Sequence, residues 1–289
     1  MEHLRKIGFY LPALVLLATL LSGLAREQAA PVFAPPGTQY RLPVIMYHSL
    51  VKSEDAADRY VCPISRVESD LVWLQDNGYT SVSLGELVAF ADGTGTLPPK
   101  PVLLTLDDGY RNNLTLLPAL LERYDMRAVI SVVGEYADIY TASGEDGSPH
   151  TCMSWADVKR AAEQERLELA CHSYYFHHLE SRKGAARKQG EPVAHWQAAL
   201  TADTLAIQRR LEEHCGITPV CYAYPFGQIS EGADTLLADL GFRVTLSCNE
   251  RPSTLTAGDP DCLYSLGRFN RDGRLSTAEF MTKLTSSLQ

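Results

Sequence analysis

The chain has 289 residues, 45% of them hydrophobic, which is enough for a substantial core in one large domain or two small ones. Its formal net charge of −9 gives no electrostatic reason to expect nucleic acid or an anionic membrane surface as a partner. The seven cysteines permit disulfides in an exported chain but leave one over, and sequence alone does not give their connectivity. Cys171 lies in an apolar run and is expected to be a buried free thiol.

The N-terminal segment has the pattern of a targeting element. Basic residues precede an uncharged run over residues 7–25, and a stretch rich in proline and alanine follows. Such a segment directs export, so we expect the protein to be extracellular, in the cell envelope, or membrane-anchored and facing outward. The predicted divisions are a signal peptide or N-terminal membrane anchor at 1–25, a linker at 26–41 and one domain at 42–288.

Downstream, apolar strands alternate with stretches of helical periodicity. Strands are predicted near 43–48, 101–107, 127–133, 167–171, 219–224, 243–248 and 263–269. Helices are predicted at 63–77, 111–124, 154–164, 193–214, 231–240 and 276–288. Near-continuous apolar strands separated by helices indicate a parallel sheet covered by helices. Because the candidate functional residues all follow strands, we predict an α/β fold, a distorted (β/α) barrel with about seven parallel strands.

The strand at 101–107 runs directly into two adjacent carboxylates, Asp107 and Asp108, which are followed by Gly109. Two neighbouring acids at a strand end repel each other and lose hydration, so the arrangement is tolerable mainly where a cation or a shared proton compensates them. Asp108 is alternatively a cap for the helix that follows. This motif alone leaves both interpretations open.

Three histidines follow the strand at 167–171, namely His172, His177 and His178. Imidazoles combined with a carboxylate from another strand end are ligands that Zn²⁺ prefers. The five-residue spacing between His172 and His177 does not put both on one helical face, so a turn must bring them to one metal. His178 is the competing ligand.

A third strand end carries Tyr224, Pro225, Phe226 and Gly227. Proline and glycine on either side of an aromatic residue fix a rigid turn, which can aim a backbone N–H at a reacting carbonyl oxygen. The alternative is a strand that simply leaves the sheet.

Taken in order, these motifs resemble those of the polysaccharide deacetylases, the NodB-type carbohydrate esterases of family 4, over roughly residues 42–285. The resemblance implies a barrel of seven or fewer strands and metal-dependent hydrolysis of N-acetyl groups. It also implies that Asp107 is the catalytic base and that Asp108, His172 and His177 hold one divalent metal ion. Zn²⁺ is the expected ion, with Co²⁺ and Ni²⁺ as alternatives.

The chain departs from the common family pattern in three places. The five-residue histidine spacing is similar to that of the subgroup that deacetylates poly-β-1,6-N-acetylglucosamine. Tyr222 stands where an arginine commonly precedes the third motif, so Arg268 is the candidate that orients Asp107. No histidine follows His214, where most members place their general acid. In the similar subgroup the acid lies near the start of the domain, which here implies His48.

The implied substrate is an extracellular or cell-wall polysaccharide that contains N-acetylglucosamine, with acetate as the released product. Contact with the acetyl oxygen or the substrate is assigned to Phe226, through its backbone N–H, and to Tyr224 and Pro225. The alternatives are an amidase of the same fold that acts on non-carbohydrate C–N bonds, and a non-catalytic carbohydrate-binding envelope protein. The candidate aromatic platforms for a sugar are Tyr174, Tyr175 and Trp196.

Overall fold

The computed structural model describes residues 33–144, 148, 150–180 and 182–288. The predicted signal peptide or anchor at 1–25 lies outside these residues. One compact unit begins at Phe33, so it overlaps residues 33–41 of the predicted linker. Within the described ranges, no helix combines the length and apolar character needed to cross a membrane. None of the seven cysteines forms a disulfide, and Cys171 is a buried thiol as predicted.

The strands are β1 (Gln39–Leu42), β2 (Val44–Tyr47), β3 (Ser49–Val51), β4 (Val61–Pro63), β5 (Thr80–Ser81), β6 (Pro101–Leu106), β7 (Ala128–Val132), β8 (Leu167–Cys171), β9 (Cys221–Ala223), β10 (Val244–Leu246), β11 (Ser253–Thr256) and β12 (Phe269–Asn270). The α-helices are α1 (Ile64–Asp76), α2 (Leu84–Ala91), α3 (Arg111–Leu116), α4 (Pro118–Arg123), α5 (Gly134–Ser143), α6 (Trp155–Ala162), α7 (Val193–Cys215), α8 (Ala233–Asp239) and α9 (Thr277–Ser286). The helix predicted at 111–124 is divided at Pro118, because proline has no N–H for the helical hydrogen bond.

Seven strands form a continuous parallel series in the order β10-β9-β8-β7-β6-β2-β12, and the short β5 pairs in parallel with the start of β6, which confirms the predicted fold class. The segment before β12 lies against β10, where Ser247 N–H donates to the Leu266 carbonyl at 2.8 Å and Leu266 N–H donates to Thr245 at 2.9 Å. Because β12 itself pairs with β2, the sheet curls into a distorted barrel. The strand predicted at 263–269 is regular only at Phe269–Asn270.

Side chains along the parallel strands alternate between two apolar cores. Ile45 and Tyr47 of β2 pack beneath the helices. The alternate positions fill the barrel interior, together with side chains of α2; the strand residues of this set are Val44, Leu103, Val129, Ala170, Cys221, Ala223, Val244 and Leu246. Because strand side chains have a period of two, His48, Asp107 and His172 continue this interior series at the carboxyl end of the barrel.

Candidate active site

Three strand ends bend through a left-handed backbone conformation. The φ angles are 69° at Asp108, 69° at Ser173 and 57° at Phe226. Such angles are uncommon outside glycine, cost about 1–3 kcal/mol each and cluster at functional sites. The bend at Asp108 explains how two adjacent residues, Asp107 and Asp108, line the same cleft, since successive strand residues otherwise point to opposite faces.

The bends bring Asp108, His172 and His177 together. One ligand atom from each lies within 4.8 Å of the others, and within the described part of the chain this is the one such cluster of histidine, cysteine and acidic groups. Oδ1 of Asp108 lies 3.0 Å from Nε2 of His177 and 3.5 Å from Nε2 of His172. His178 lies outside the cluster, because its Nε2 is 2.7 Å from the Glu135 carboxylate.

The second ring nitrogen of each clustered histidine has its own partner. Nδ1 of His172 lies 2.8 Å from the carbonyl oxygen of Ala223, so this nitrogen must carry the proton that it donates. Nδ1 of His177 lies 2.9 Å from the hydroxyl of Tyr136 on α5, and the same hydroxyl is 3.4 Å from the His177 carbonyl. The proton on Nδ1 of His172 leaves its Nε2 free to bind a metal when that atom is deprotonated, and the Tyr136 hydroxyl, which can donate or accept, holds the His177 ring with Nε2 toward Asp108.

The loop between the two histidines is fastened to α7 by Asp203. One oxygen of this carboxylate accepts from Tyr174 N–H at 2.9 Å, and the other accepts from Tyr175 N–H at 2.7 Å. Burial raises the pKa of Asp203 to about 6, although the two backbone donors lower it. The sequence does not identify this anchor, because Asp203 lies far along the chain on a helix with no motif.

Asp107 forms a buried ion pair with Arg268. Both carboxylate oxygens accept from the guanidinium at 2.7 Å, and the Arg268 Nε donates to the Ser247 carbonyl at 2.8 Å. Arg268 is fully buried, and Asp107 is 2% exposed. The structure therefore places Arg268 at the position expected for a residue that orients Asp107, and the bidentate geometry fixes the plane of the carboxylate.

Charge governs the protonation of this cluster. Burial alone would raise the pKa of Asp107, but the Arg268 charge, followed by that of His172, lowers it to about 2. Burial likewise opposes ionisation of Asp108, but hydrogen bonds from His172 and His177 hold its pKa well below the usual range. Burial lowers the pKa of His172, yet the charges of Asp107 and Asp108 raise it overall. Both carboxylates are therefore ionised at neutral pH.

His48 lines the same cleft. Burial, which outweighs the attraction of Asp108 and Asp107, lowers its pKa from the usual value. Its buried Nδ1 has no hydrogen-bond partner among the described residues. The Tyr60 ring meets the imidazole edge-on with centroids 4.8 Å apart.

The cleft has a volume of about 520 Å³. Its lining combines the cluster with a mixed rim: Met46, His48, Arg59, Tyr60, Asp107, Asp108, Tyr110, His172, His177, Leu179, Phe226, Cys248, Glu250 and Asn270. A surface cleft of similar size, about 470 Å³, lies around Arg41 and Arg251 and contains no member of the cluster. The chemistry therefore belongs to the cleft at the carboxyl end of the barrel.

The third motif contributes only Phe226 to this lining. The prediction that Tyr224 and Pro225 contact the substrate is wrong, because both residues are buried and the Tyr224 hydroxyl donates to Asp234 at 2.8 Å. Gly227 is required in the turn, since it has a φ of 63° and a Cβ there would lie 2.6 Å from Cys248. The turn thus presents the Phe226 backbone and ring, whose centroid is 4.6 Å from that of His177.

The aromatic residues predicted as sugar platforms lie elsewhere. Trp196 is 1% exposed and its indole N–H donates to Ala185, so it belongs to the core. The Tyr174 hydroxyl is held by Asp138 at 2.5 Å, and Tyr175 packs against His178. The aromatic residues that line the cleft, beside Phe226, are Tyr60 and Tyr110.

Comparison with known proteins decides the family. Residues 94–245, just over half of the chain, match the family described as polysaccharide deacetylase. The chain belongs to the polysaccharide deacetylase family. This confirms the resemblance to NodB-type carbohydrate esterases of family 4 that the three motifs indicate.

The individual relatives agree with the subgroup that the histidine spacing indicates. Over 219 residues the chain is 24% identical to the poly-β-1,6-N-acetyl-D-glucosamine N-deacetylase of Escherichia coli (strain K12), an alignment covering 68% of this chain and 32% of that protein. The chain therefore spans about a third of the length of this curated relative. A polysaccharide deacetylase of Bacillus subtilis (strain 168) is 32% identical over 95 residues, 33% of either protein.

Solved structures share the fold. A de-N-acetylase from Aggregatibacter actinomycetemcomitans superposes with a TM-score of 0.70 at 21% identity, covering 84% of this chain and 100% of that one. IcaB from Ammonifex degensii gives a TM-score of 0.66 at 21% identity, covering 88% of this chain and 98% of that one. The distorted barrel is therefore the fold of this family.

Proposed function

We propose that the protein is a metal-dependent N-deacetylase that removes acetyl groups from a polysaccharide containing N-acetylglucosamine. The observation that carries the proposal is the position of Asp107. This carboxylate is held by Arg268 and is ionised, and it lies directly beside the cluster of Asp108, His172 and His177. Hydrolysis by a metal site needs a base of this kind next to an open coordination position.

The donor set fits one divalent ion of the Zn²⁺, Co²⁺ and Ni²⁺ type. It offers one carboxylate oxygen and two imidazole Nε2 atoms, and the partners of the two Nδ1 atoms, the Ala223 carbonyl and the Tyr136 hydroxyl, orient the two rings. Such an ion, when bound by three protein ligands, supplies Lewis acidity that lowers the pKa of water and polarises a carbonyl oxygen.

The residues of the chain then have separate tasks. Asp107 takes a proton from the attacking water, while Arg268 holds its carboxylate in place. The Phe226 backbone N–H donates to the acetyl oxygen as negative charge develops there. His48 protonates the departing amine nitrogen. Because burial lowers the pKa of His48, the ring is neutral at rest and must be protonated during turnover, for which the proton taken from water is a sufficient source.

The substrate class is supported by the relatives and by the shape of the cleft. The Escherichia coli relative is named a poly-β-1,6-N-acetyl-D-glucosamine N-deacetylase. The cleft has exposed side chains at its rim, including Tyr60 at 47% exposure and Leu179 at 58%, so a polymer can reach the site without threading into an enclosed pocket.

We also propose that the protein is exported, so that it meets such a polymer outside the cytoplasm. The proposal rests on the basic residues and the apolar run within residues 1–25. This pattern is compatible with a cleaved signal peptide and with a membrane anchor. N-terminal sequencing of the protein recovered from its native host, together with cell fractionation, tests export and cleavage. Recovery of the intact chain from the cytosol would contradict the proposal.

The direct test of the reaction is acetate release from N-acetylglucosamine oligomers with β-1,6 and β-1,4 linkages. We expect release that is abolished by a chelator and restored by Zn²⁺, Co²⁺ or Ni²⁺. Release that resists exhaustive chelation would contradict a metal site. Hydrolysis of simple acetamides with no release from any oligomer would favour an amidase, and binding of oligomers without release would favour a non-catalytic protein.

A further inference from the structure

Two exposed apolar side chains stand at the rim of the cleft, Tyr60 and Leu179. Among the described residues only seven large hydrophobic side chains are exposed, and two of these line this single cleft. Scattered exposed apolar residues are normal on a soluble protein. Tyr60 and Leu179 come from different segments of the chain and line the cleft that contains the cluster, so they belong to the candidate site.

The loop that carries Tyr60 is fixed to the end of β12 and to the segment that follows it. Asn270 Nδ2 donates to the Arg59 carbonyl at 3.0 Å, and Gly273 N–H donates to the Asp58 carbonyl at 2.9 Å. On its other side, the Tyr60 carbonyl accepts from Ser49 N–H at 3.1 Å. The backbone on both sides of the ring is therefore held before any ligand arrives.

Close approach between the two segments depends on Gly273. A Cβ at this position would lie 1.9 Å from the Val61 carbonyl oxygen, so no other residue fits without moving the loop. The Tyr60 ring itself has the His48 imidazole on one side, and the Arg59 guanidinium lies 5.4 Å from its centroid. A rigid aromatic face of this kind is the usual way to bind the apolar face of a ring at little entropic cost.

We propose that Tyr60 and Leu179 form two sugar-binding positions that flank the reacting unit, one on the His48 side of the cleft and one beside the histidine loop. The inference rests on the proposed function for its substrate class. It adds that the enzyme recognises an oligosaccharide through neighbouring sugar units, whose C–H faces pack on these two side chains. Affinity then depends on chain length, and neither Tyr60 nor Leu179 transfers a proton in the proposed reaction.

The test compares wild-type protein with Tyr60→Ala, Tyr60→Phe and Leu179→Ser, all loaded with metal. An aromatic contact of this kind is worth roughly tenfold in affinity, so Tyr60→Ala should raise KM for N-acetylglucosamine oligomers about tenfold, a larger effect than on kcat, which the ring reaches only through its contact with His48. Tyr60→Phe keeps the ring and should behave as wild type. Leu179→Ser should raise KM by a smaller factor of about three to ten.

Two controls separate this role from general damage. An activated acetate ester without a sugar should be hydrolysed equally by all variants, and Val72→Ser, at an exposed apolar position outside the cleft, should leave every parameter unchanged. Equal losses on ester and oligomer, or an unchanged KM for Tyr60→Ala, would overturn the inference. If wild-type protein releases no acetate, the proposed function fails, but calorimetric titration with the oligomers still tests whether Tyr60 and Leu179 bind sugar units. Binding that Tyr60→Ala does not weaken, or no binding by wild type, then overturns it.

Discussion

Asp107 and Asp108 are adjacent in sequence but have different principal partners. Asp107 faces a fully buried arginine, whereas Asp108 faces two imidazoles. A carboxylate locked by a bidentate guanidinium keeps its orientation when a proton arrives, and a carboxylate between two imidazoles is arranged to share a cation. The contacts therefore support different roles for the two residues.

The first prediction concerns the base. Asp107→Asn should retain the metal and lower kcat about 10²- to 10⁴-fold, because a positioned general base contributes about that much and an amide cannot take the proton. Acetate release and elemental analysis of the same preparation measure both effects. Asp108→Asn is the matched comparison and should lose metal. If Asp107→Asn is the variant that loses metal, the two roles must be exchanged.

His48 is predicted to act as the general acid. In His48→Ala with bound metal, turnover of an acetamide with a poor amine leaving group should fall by about 10²-fold or more, because an amine anion cannot leave unprotonated. An activated ester needs no such proton and should lose far less. Parallel rate measurements on the two substrates check this. Equal losses on both, or none on either, would rule out the acid role.

At the scale of secondary structure, strand parity brings most of the site together. β2, β6 and β8 are neighbours or near neighbours in the parallel sheet, and each ends in an interior-facing position occupied by His48, Asp107 or His172. Parallel strands present their carboxyl ends at the same face of the barrel, so residues far apart in sequence share one cleft. This part of the site follows from local patterns.

The remaining parts depend on tertiary packing that no local pattern encodes. Tyr136 and Asp203 reach the histidine loop from α5 and α7, and Tyr60 reaches the cleft because Asn270 and Gly273 fix its loop. Trp196 belongs to the core and not to the cleft for a related reason: its face of α7 is covered by the chain around Ala185, which periodicity alone does not show.

The histidine loop gives an element-scale prediction. Asp203→Asn should weaken metal binding about tenfold or more, because an amide offers one acceptor where two backbone N–H groups need two. A competition assay with a metal indicator measures the affinity. Glu212→Gln, an exposed position on the same helix, is the matched control and should bind as wild type does. Unchanged affinity in Asp203→Asn would show that the loop holds its geometry without the anchor.

Across the whole molecule, a second buried ion pair secures the C-terminal segment to the barrel. Asp70 of α1 accepts from Arg271 Nε at 2.7 Å, from the Tyr47 hydroxyl at 3.0 Å and from the Thr277 hydroxyl at 2.6 Å. The Arg271 guanidinium also lies over the Phe280 ring of α9, 4.9 Å from its centroid. The Asp70 carboxylate thus connects β2, α1 and α9. Its partner Arg271 directly follows Asn270 of β12, the residue that contacts the Tyr60 loop.

The final prediction concerns the stability of the whole chain as a function of metal and pH. A metal that binds only the folded state stabilises it by RT ln(1 + [M]/Kd), about 2.7 kcal/mol when its concentration is 100 times Kd. A proton on Nε2 of His172 competes with the metal, and the charges of Asp107 and Asp108 raise the pKa of this ring against the opposing effect of burial. Metal binding displaces this one proton, so each unit by which the pH falls below the raised pKa should weaken metal binding by up to tenfold. The stabilisation by metal then falls by about 1.4 kcal/mol per pH unit.

In the metal-free protein, the same His172 ring should stabilise the folded state more at low pH than at high pH. A histidine whose folded pKa is raised contributes stability that is fully present below the unfolded value near 6.5 and is lost as the pH rises through the folded pKa. The difference in Tm between metal-loaded and metal-free protein should therefore grow as the pH rises toward the pKa of His172 and level off above it. Thermal unfolding with and without Zn²⁺ at a series of pH values measures it. His178→Ala should follow the wild-type curve, because His178 lies outside the cluster. His172→Ala should show little effect of metal on Tm at any pH. A wild-type difference in Tm that does not change with pH would mean that protonation of His172 does not compete with the metal.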